Sequence, residues 1–152
     1  MDLNGNVFVA LPPDRVAPAL TDPEMLRRML PGCPGLEPAG PGRWRAPMER
    51  DMGPLTLRLT ADLTMQAVGP NAWRLTAQGG TMISGKVSAG FDITLEERAP
   101  GTRMTYAGTI EASGLAGKML ASREESLRNY VRNMFGTLVG ELEAAARNEP
   151  TA

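Results

Sequence analysis

Apolar and polar positions alternate with a period of two through most of this chain. They change to a period near 3.6 only after Leu115. From Leu55 to Ala67 the odd positions are Leu, Ala or Met and the even ones Thr, Arg, Asp or Gln. One wholly apolar face and one polar face predict an antiparallel strand that is wet on one side. Trp73, Leu75 and Ala77 repeat the pattern, as do Val87 to Leu95 and Met104 to Ala112. Gly69-Pro70-Asn71, Gly79-Gly80 and Ala99-Pro100-Gly101 punctuate these runs, so the strands form a meander of neighbours. An earlier strand spans Leu3 to Leu11, and Trp44, Ala46 and Met48 mark another after the Pro/Gly-rich stretch 31–42.

Two short helices fit between those strands. Pro13 to Leu20 is weakened by Pro18, which cannot donate an intrahelical hydrogen bond. In the second, Asp22 caps, Pro23 takes the first helical position, and the helix runs to Leu30 before Pro31-Gly32. The segment Leu115 to Ala146 reads as one amphipathic helix, roughly 45 Å long. Around Leu127 its stripe gathers Ala116, Leu120, Val131, Met134, Leu138 and Ala145, with Tyr130 and Leu142 at the margin. Arg123 falls inside this stripe. A curved sheet with one apolar face needs a cover, and only the terminal helix is long enough to supply it. The expected fold is α+β. It is a helix-grip arrangement of about seven antiparallel strands wrapped on a long C-terminal helix, with a space between sheet and helix. The expected domain spans 1–148, with 149–152 as a short polar tail.

Composition narrows the chemistry. The 152 residues include no histidine and one cysteine, Cys33, and the formal net charge is -1. This removes His-based catalysis, an internal disulfide and nearly all zinc sites, and it leaves no electrostatic footprint for nucleic acid. There is no apolar run of membrane-spanning length and no signal-peptide pattern at Met1 to Asn6. The expected location is the cytoplasm.

Three stretches carry a family resemblance. They are Leu20-Thr21-Asp22-Pro23-Glu24-Met25-Leu26 with Leu30-Pro31-Gly32-Cys33; Met52-Gly53-Pro54; and Thr102 to Tyr106 with Gly114-Leu115-Ala116 and Ser122-Arg123. Together they resemble the G-subunit-like proteins of carbon monoxide dehydrogenase, within the START/birch-allergen superfamily. The resemblance implies a non-enzymatic protein that assembles or recruits a molybdenum hydroxylase and binds an apolar, quinone- or lipid-like molecule. No cofactor is expected. The resemblance also implies a peripheral contact at the inner membrane face. Membrane-anchored members extend well past the helix, whereas this chain ends at Glu149-Pro150-Thr151-Ala152. The chain also departs from the family pattern at Ala17-Pro18, where an aromatic is common, and at Arg50, where the phase is usually apolar.

Arg123 has two readings. Its guanidinium reaches solvent or a carboxylate at the domain edge, or it points inward to a ligand oxygen. Arg50 is a second inward-phase arginine, at a strand end. Trp44, Trp73, Phe91 and Tyr106 are inward, as are Met48, Met65, Met104 and Met134. Flexible thioethers suit either core filling or an adaptable pocket. Tyr106 and Tyr130 carry hydroxyls that need partners if buried. Glu124 and Arg128 are spaced as a solvated helical ion pair, and Gly136 and Gly140 lie on the polar back of the helix. The carboxylates lie on outward phases. The candidate ligand site is therefore Arg123, Tyr106, Tyr130, Trp44, Trp73, Met65, Phe91, Met104, Leu127 and Met134, with no catalytic and no metal residues. One alternative is an enzyme of the polyketide cyclase or aromatase kind on the same fold; another is a pocket filled by side chains, with the protein acting purely as an assembly factor.

Overall fold

The computed structural model describes residues 1–30, 33–52, 55–81 and 85–148; for residues 48–52, 55–59, 81, 119 and 120 it describes the backbone alone. Pro31-Gly32, Gly53-Pro54 and the side chains of Met48, Arg50 and Leu120, all used above, lie outside the described residues. The order is β1 (Asp2–Val9), α1 (Pro13–Val16), a 3₁₀ turn (Ala17–Thr21), α2 (Pro23–Met29), β2 (Glu37–Gly40), β3 (Arg43–Met52), β4 (Leu55–Gly69), β5 (Ala72–Thr81), β6 (Gly85–Arg98), β7 (Gly101–Ala112), α3 (Gly114–Ser122) and α4 (Glu124–Arg147).

Seven strands form one antiparallel sheet in the order β1-β7-β6-β5-β4-β3-β2. This is the expected helix-grip fold. Every connection from β2 to β7 joins sheet neighbours, as the Gly- and Pro-marked turns require. β2 was not legible within the Pro/Gly-rich stretch. It is four residues long, wholly exposed, and carries Pro38 and a register shift. Those features suit an edge strand, where a missing N–H disrupts no ladder. β1 forms the opposite edge, and α4 blunts it. Arg128 donates to the Asp2 carbonyl at 3.2 Å, and the Ala10 N–H donates to Glu143 Oε1 at 3.2 Å.

The first helical segment divides after Val16 into one α-turn and a 3₁₀ turn that holds Pro18. In α2, Asp22 accepts from the Glu24 N–H at 3.0 Å and Pro23 follows, as expected of an N-cap. Arg27 hydrogen-bonds Glu24 one turn earlier, and this charged donor holds the Glu24 carboxyl below the usual carboxylate range. Arg28 bridges to Glu141 at 3.2 Å and so ties α2 to α4.

The terminal helix is not continuous. Arg123 leaves the helical region, with φ -134° and ψ 35°, and separates α3 from α4. The two pieces serve different surfaces. α3 packs on β6 and β7, whereas α4 crosses the concave face towards β1 and α2. Gly114, with φ 64°, supplies the left-handed turn that starts α3.

The core lies between the sheet and α4. Val131, Met134, Phe135, Leu138 and Leu142 are the buried residues of α4. Val131, Leu138 and Phe135 share a face centred roughly 40° away from Leu127. Leu127 is therefore half-buried at the margin, and Ala145 is exposed. Phe135 is fully buried and stacks on Tyr106 with ring centroids 4.1 Å apart. Phe91 meets both rings edge-on.

Candidate functional site

The pairing register converts the inward positions of separate strands into transverse rows. One row reads Ala67, Trp73, Ile93, Tyr106 and Gly5. The next reads Met65, Leu75, Phe91, Gly108 and Leu3. These rows are bulky overall and meet the Phe135 end of the α4 stripe. Their glycines make room for the rings: a Cβ on Gly5 would lie 2.5 Å from the Tyr106 hydroxyl oxygen. The third row is Trp44, Leu63, Ala77, Ala89 and Ile110, and the fourth is Ala46, Ala61, Gly79, Val87 and Ala112. At the centre of these two rows the side chains shrink to Ala and Gly. The sheet–helix distance is set by the bulky rows, so the small rows leave space.

That space is a cavity of about 200 Å³. Its floor is Leu75 and Phe91; Ala77, Ala89 and Gly79 form the sheet side, and Leu127, Tyr130, Val131 and Met134 the helix side. Leu30, at the end of α2, closes one flank with Leu63 and Ala61. Hardly any polar atom faces it. Gln78 belongs to the wall but sits on the outward phase of β5, with its side chain exposed. Burial falls along the cavity. Leu75, Phe91, Ile110, Val131 and Met134 are buried, as are Ala61 and Leu63 on the α2 flank, whereas Ala77, Gly79, Val87, Ala89, Leu127 and Tyr130 are half-buried. The mouth is therefore on the Gly79–Val87–Leu127 side, away from the buried Ala61–Leu63 flank.

The sequence-derived candidates separate into three groups. Phe91, Leu127, Tyr130 and Met134 stand together on the wall. Trp44, Met65, Trp73, Met104 and Tyr106 are buried in the core beside it; as the periodicity required, all five face inward. Arg123 is exposed at the helix break and lies outside the wall. Its place in the apolar stripe followed from assuming one unbroken helix. Once the backbone departs from helical geometry at that residue, the 100° spacing no longer carries across it.

Sequence reading missed Ala77, Ala89, Gly79, Val87 and Leu30 as wall residues. Small inward residues recurring in consecutive strands were the available signal, but a row exists only once the register is known. Phe135 was missed because the helical stripe was centred on Leu127 rather than between Val131 and Phe135.

The chain matches the family model of CoxG, the carbon monoxide dehydrogenase G-subunit, over residues 5–146. No curated protein matches it. Its fold is similar to that of a conserved protein from Geobacillus kaustophilus, with TM-score 0.79 and 21% identity over 95% of this chain and 97% of that one. It is also similar to a START superfamily protein from Mycobacterium smegmatis, with TM-score 0.67 and 14% identity over 95% and 98% of the two chains. A third similar structure is the di-domain aromatase/cyclase (ARO/CYC) BexL, with TM-score 0.62 and 15% identity; the match spans 99% of this chain and 51% of that one. At these identities the structures show the fold alone. No helix of the described residues is long and apolar enough to cross a membrane. With the family model spanning nearly its whole length, this chain belongs to the CoxG family, that of the carbon monoxide dehydrogenase G-subunit.

Proposed function

We propose that this protein is a non-enzymatic accessory factor that carries an apolar small molecule of the quinone or lipid-like class. The bound molecule would serve the assembly or the membrane and quinone coupling of a carbon monoxide dehydrogenase-type molybdenum hydroxylase. Family membership supports the partner. The observation that carries the ligand is the cavity of about 200 Å³ with an almost wholly apolar wall. An engineered apolar cavity of roughly 150 Å³ stays dry and takes up benzene, so a space of this size and polarity favours hydrocarbon over water. It is smaller than the roughly 300–1,000 Å³ of drug-sized sites, so it encloses part of a long ligand and leaves the rest at the mouth.

The cyclase reading rests on the likeness in fold to BexL. Proton transfer on a polyketide needs a positioned acid or base within reach of the reacting carbon. The wall offers Tyr130 and the outward-turned Gln78 among apolar side chains, and no carboxylate belongs to it. Binding is the chemistry this surface supports.

The test is extraction. Protein purified without detergent and then denatured should release a stoichiometric quinone or lipid-like molecule, identified by mass spectrometry. Ala77→Trp, which fills the middle of the cavity, should release none while retaining the fold by circular dichroism. An empty wild-type protein that also fails to take up added quinone would sink the carrier role. Co-purification with hydroxylase subunits tests the partner separately.

A further inference from the structure

We propose that the cavity takes its ligand chain-first, with a hydrocarbon segment along the floor-to-mouth axis and the polar head left at the mouth. This rests on the reading of the cavity as a ligand site. Three observations carry it. The first is polarity. At the floor a ligand meets Leu75, Phe91, Val131 and Met134, and hardly any polar atom faces the cavity anywhere. A carbonyl-bearing ring seated there would lose its water and gain no donor, which is costly for every oxygen buried. The nearby Tyr106 hydroxyl is turned towards Gly5 on β1 and is not part of the wall.

The second is the direction of burial. Along β5 and β6 the wall passes from buried at Leu75 and Phe91 to half-buried at Gly79 and Val87, with Leu127 half-buried opposite, so water reaches the mouth on that side. A head group there keeps its hydration. The third is shape. Three successive rows, Leu75–Phe91, Ala77–Ala89 and Gly79–Val87, line the sheet side. Same-face rows are two residues apart, roughly 7 Å, so the three span about 14 Å. On the helix side, Leu127 to Met134 covers about 10 Å. The wall also reaches across from Leu63 on β4 to Ile110 on β7, so this length bounds how much of a chain can lie between floor and mouth. Ala77 and Ala89 then set how many carbons enter, and the exposed head is free to meet a partner.

The probe is a series of 2-methyl-1,4-naphthoquinones with hydrogen or an n-alkyl chain of two to ten carbons on the neighbouring ring carbon. Binding is read by calorimetry on the full-length protein. Affinity should rise about fourfold per enclosed methylene and then level off once the cavity is full. Ala89→Leu should bring that plateau to a shorter chain. A chainless ring that binds as tightly as the decyl compound would overturn the chain-first orientation and leave the ligand site standing. Failure of every member to bind, with nothing co-extracted, would remove the site itself and this proposal with it. The wild-type series alone decides the orientation, so the result does not depend on the variant folding.

Discussion

Phe135 shows how much one residue contributes and how easily it is passed over. It is completely buried, stacks on Tyr106 and meets Phe91 edge-on, so it joins α4 to two strands of the sheet. Truncating a buried phenylalanine removes its transfer free energy and leaves a void, together about 3–5 kcal/mol. Phe135→Ala should therefore lower stability by that amount in urea titrations, with a lower midpoint and a near-constant slope. A loss below about 1 kcal/mol would mean that the ring cluster does not hold the helix to the sheet. Arg123 is the opposite case. It is exposed and outside the cavity wall. Arg123→Ala should leave affinity for an uncharged alkyl naphthoquinone within about twofold, and a tenfold loss measured by calorimetry would return Arg123 to the site.

At the scale of elements, local chemistry and packing decide different things. The start of α2 is local: Asp22 accepts the Glu24 N–H and Pro23 fits the first turn. Asp22→Ala should cost roughly 0.5–2 kcal/mol, read as a fall in thermal midpoint. An unchanged midpoint would mean that tertiary contacts to α4, such as the Arg28–Glu141 bridge, hold this helix without its cap. The strands β4 to β7 were equally plain, because a period of two survives any rearrangement of their neighbours. The break at Arg123 was not plain. No Pro or Gly marks it, and the two pieces it separates pack on different surfaces. β2 was hidden for a related reason: Glu37–Gly40 has no strand pattern of its own and is ordered by pairing with β3.

At the scale of the molecule, the cavity is a balance between bulky and small rows. Trp73, Ile93, Phe91 and Tyr106 hold α4 off the sheet, and Ala77, Ala89 and Gly79 do not fill the gap that results. A ligand that occupies it in the folded state alone stabilises that state by mass action. At a hundred times its dissociation constant the gain is about 2.7 kcal/mol. For a chain of this size that corresponds to a rise of roughly 5–10 °C in the thermal midpoint. Differential scanning fluorimetry with decyl naphthoquinone checks it, and Ala77→Trp should show no rise.

The sequence by itself determined the sheet, the cover and the inward faces. Alternation and helical periodicity depend on which side of a strand or helix each residue occupies, and that is local geometry. It also determined the family, through motifs spread over nearly the whole chain. Only the tertiary structure decided where the cavity lies, where it opens, and that Arg123 stands outside its wall. Those properties belong to residues brought side by side from β4, β5, β6, β7, α4 and the end of α2. Neither the register between strands nor the point at which a helix must bend around a core is written in the local pattern.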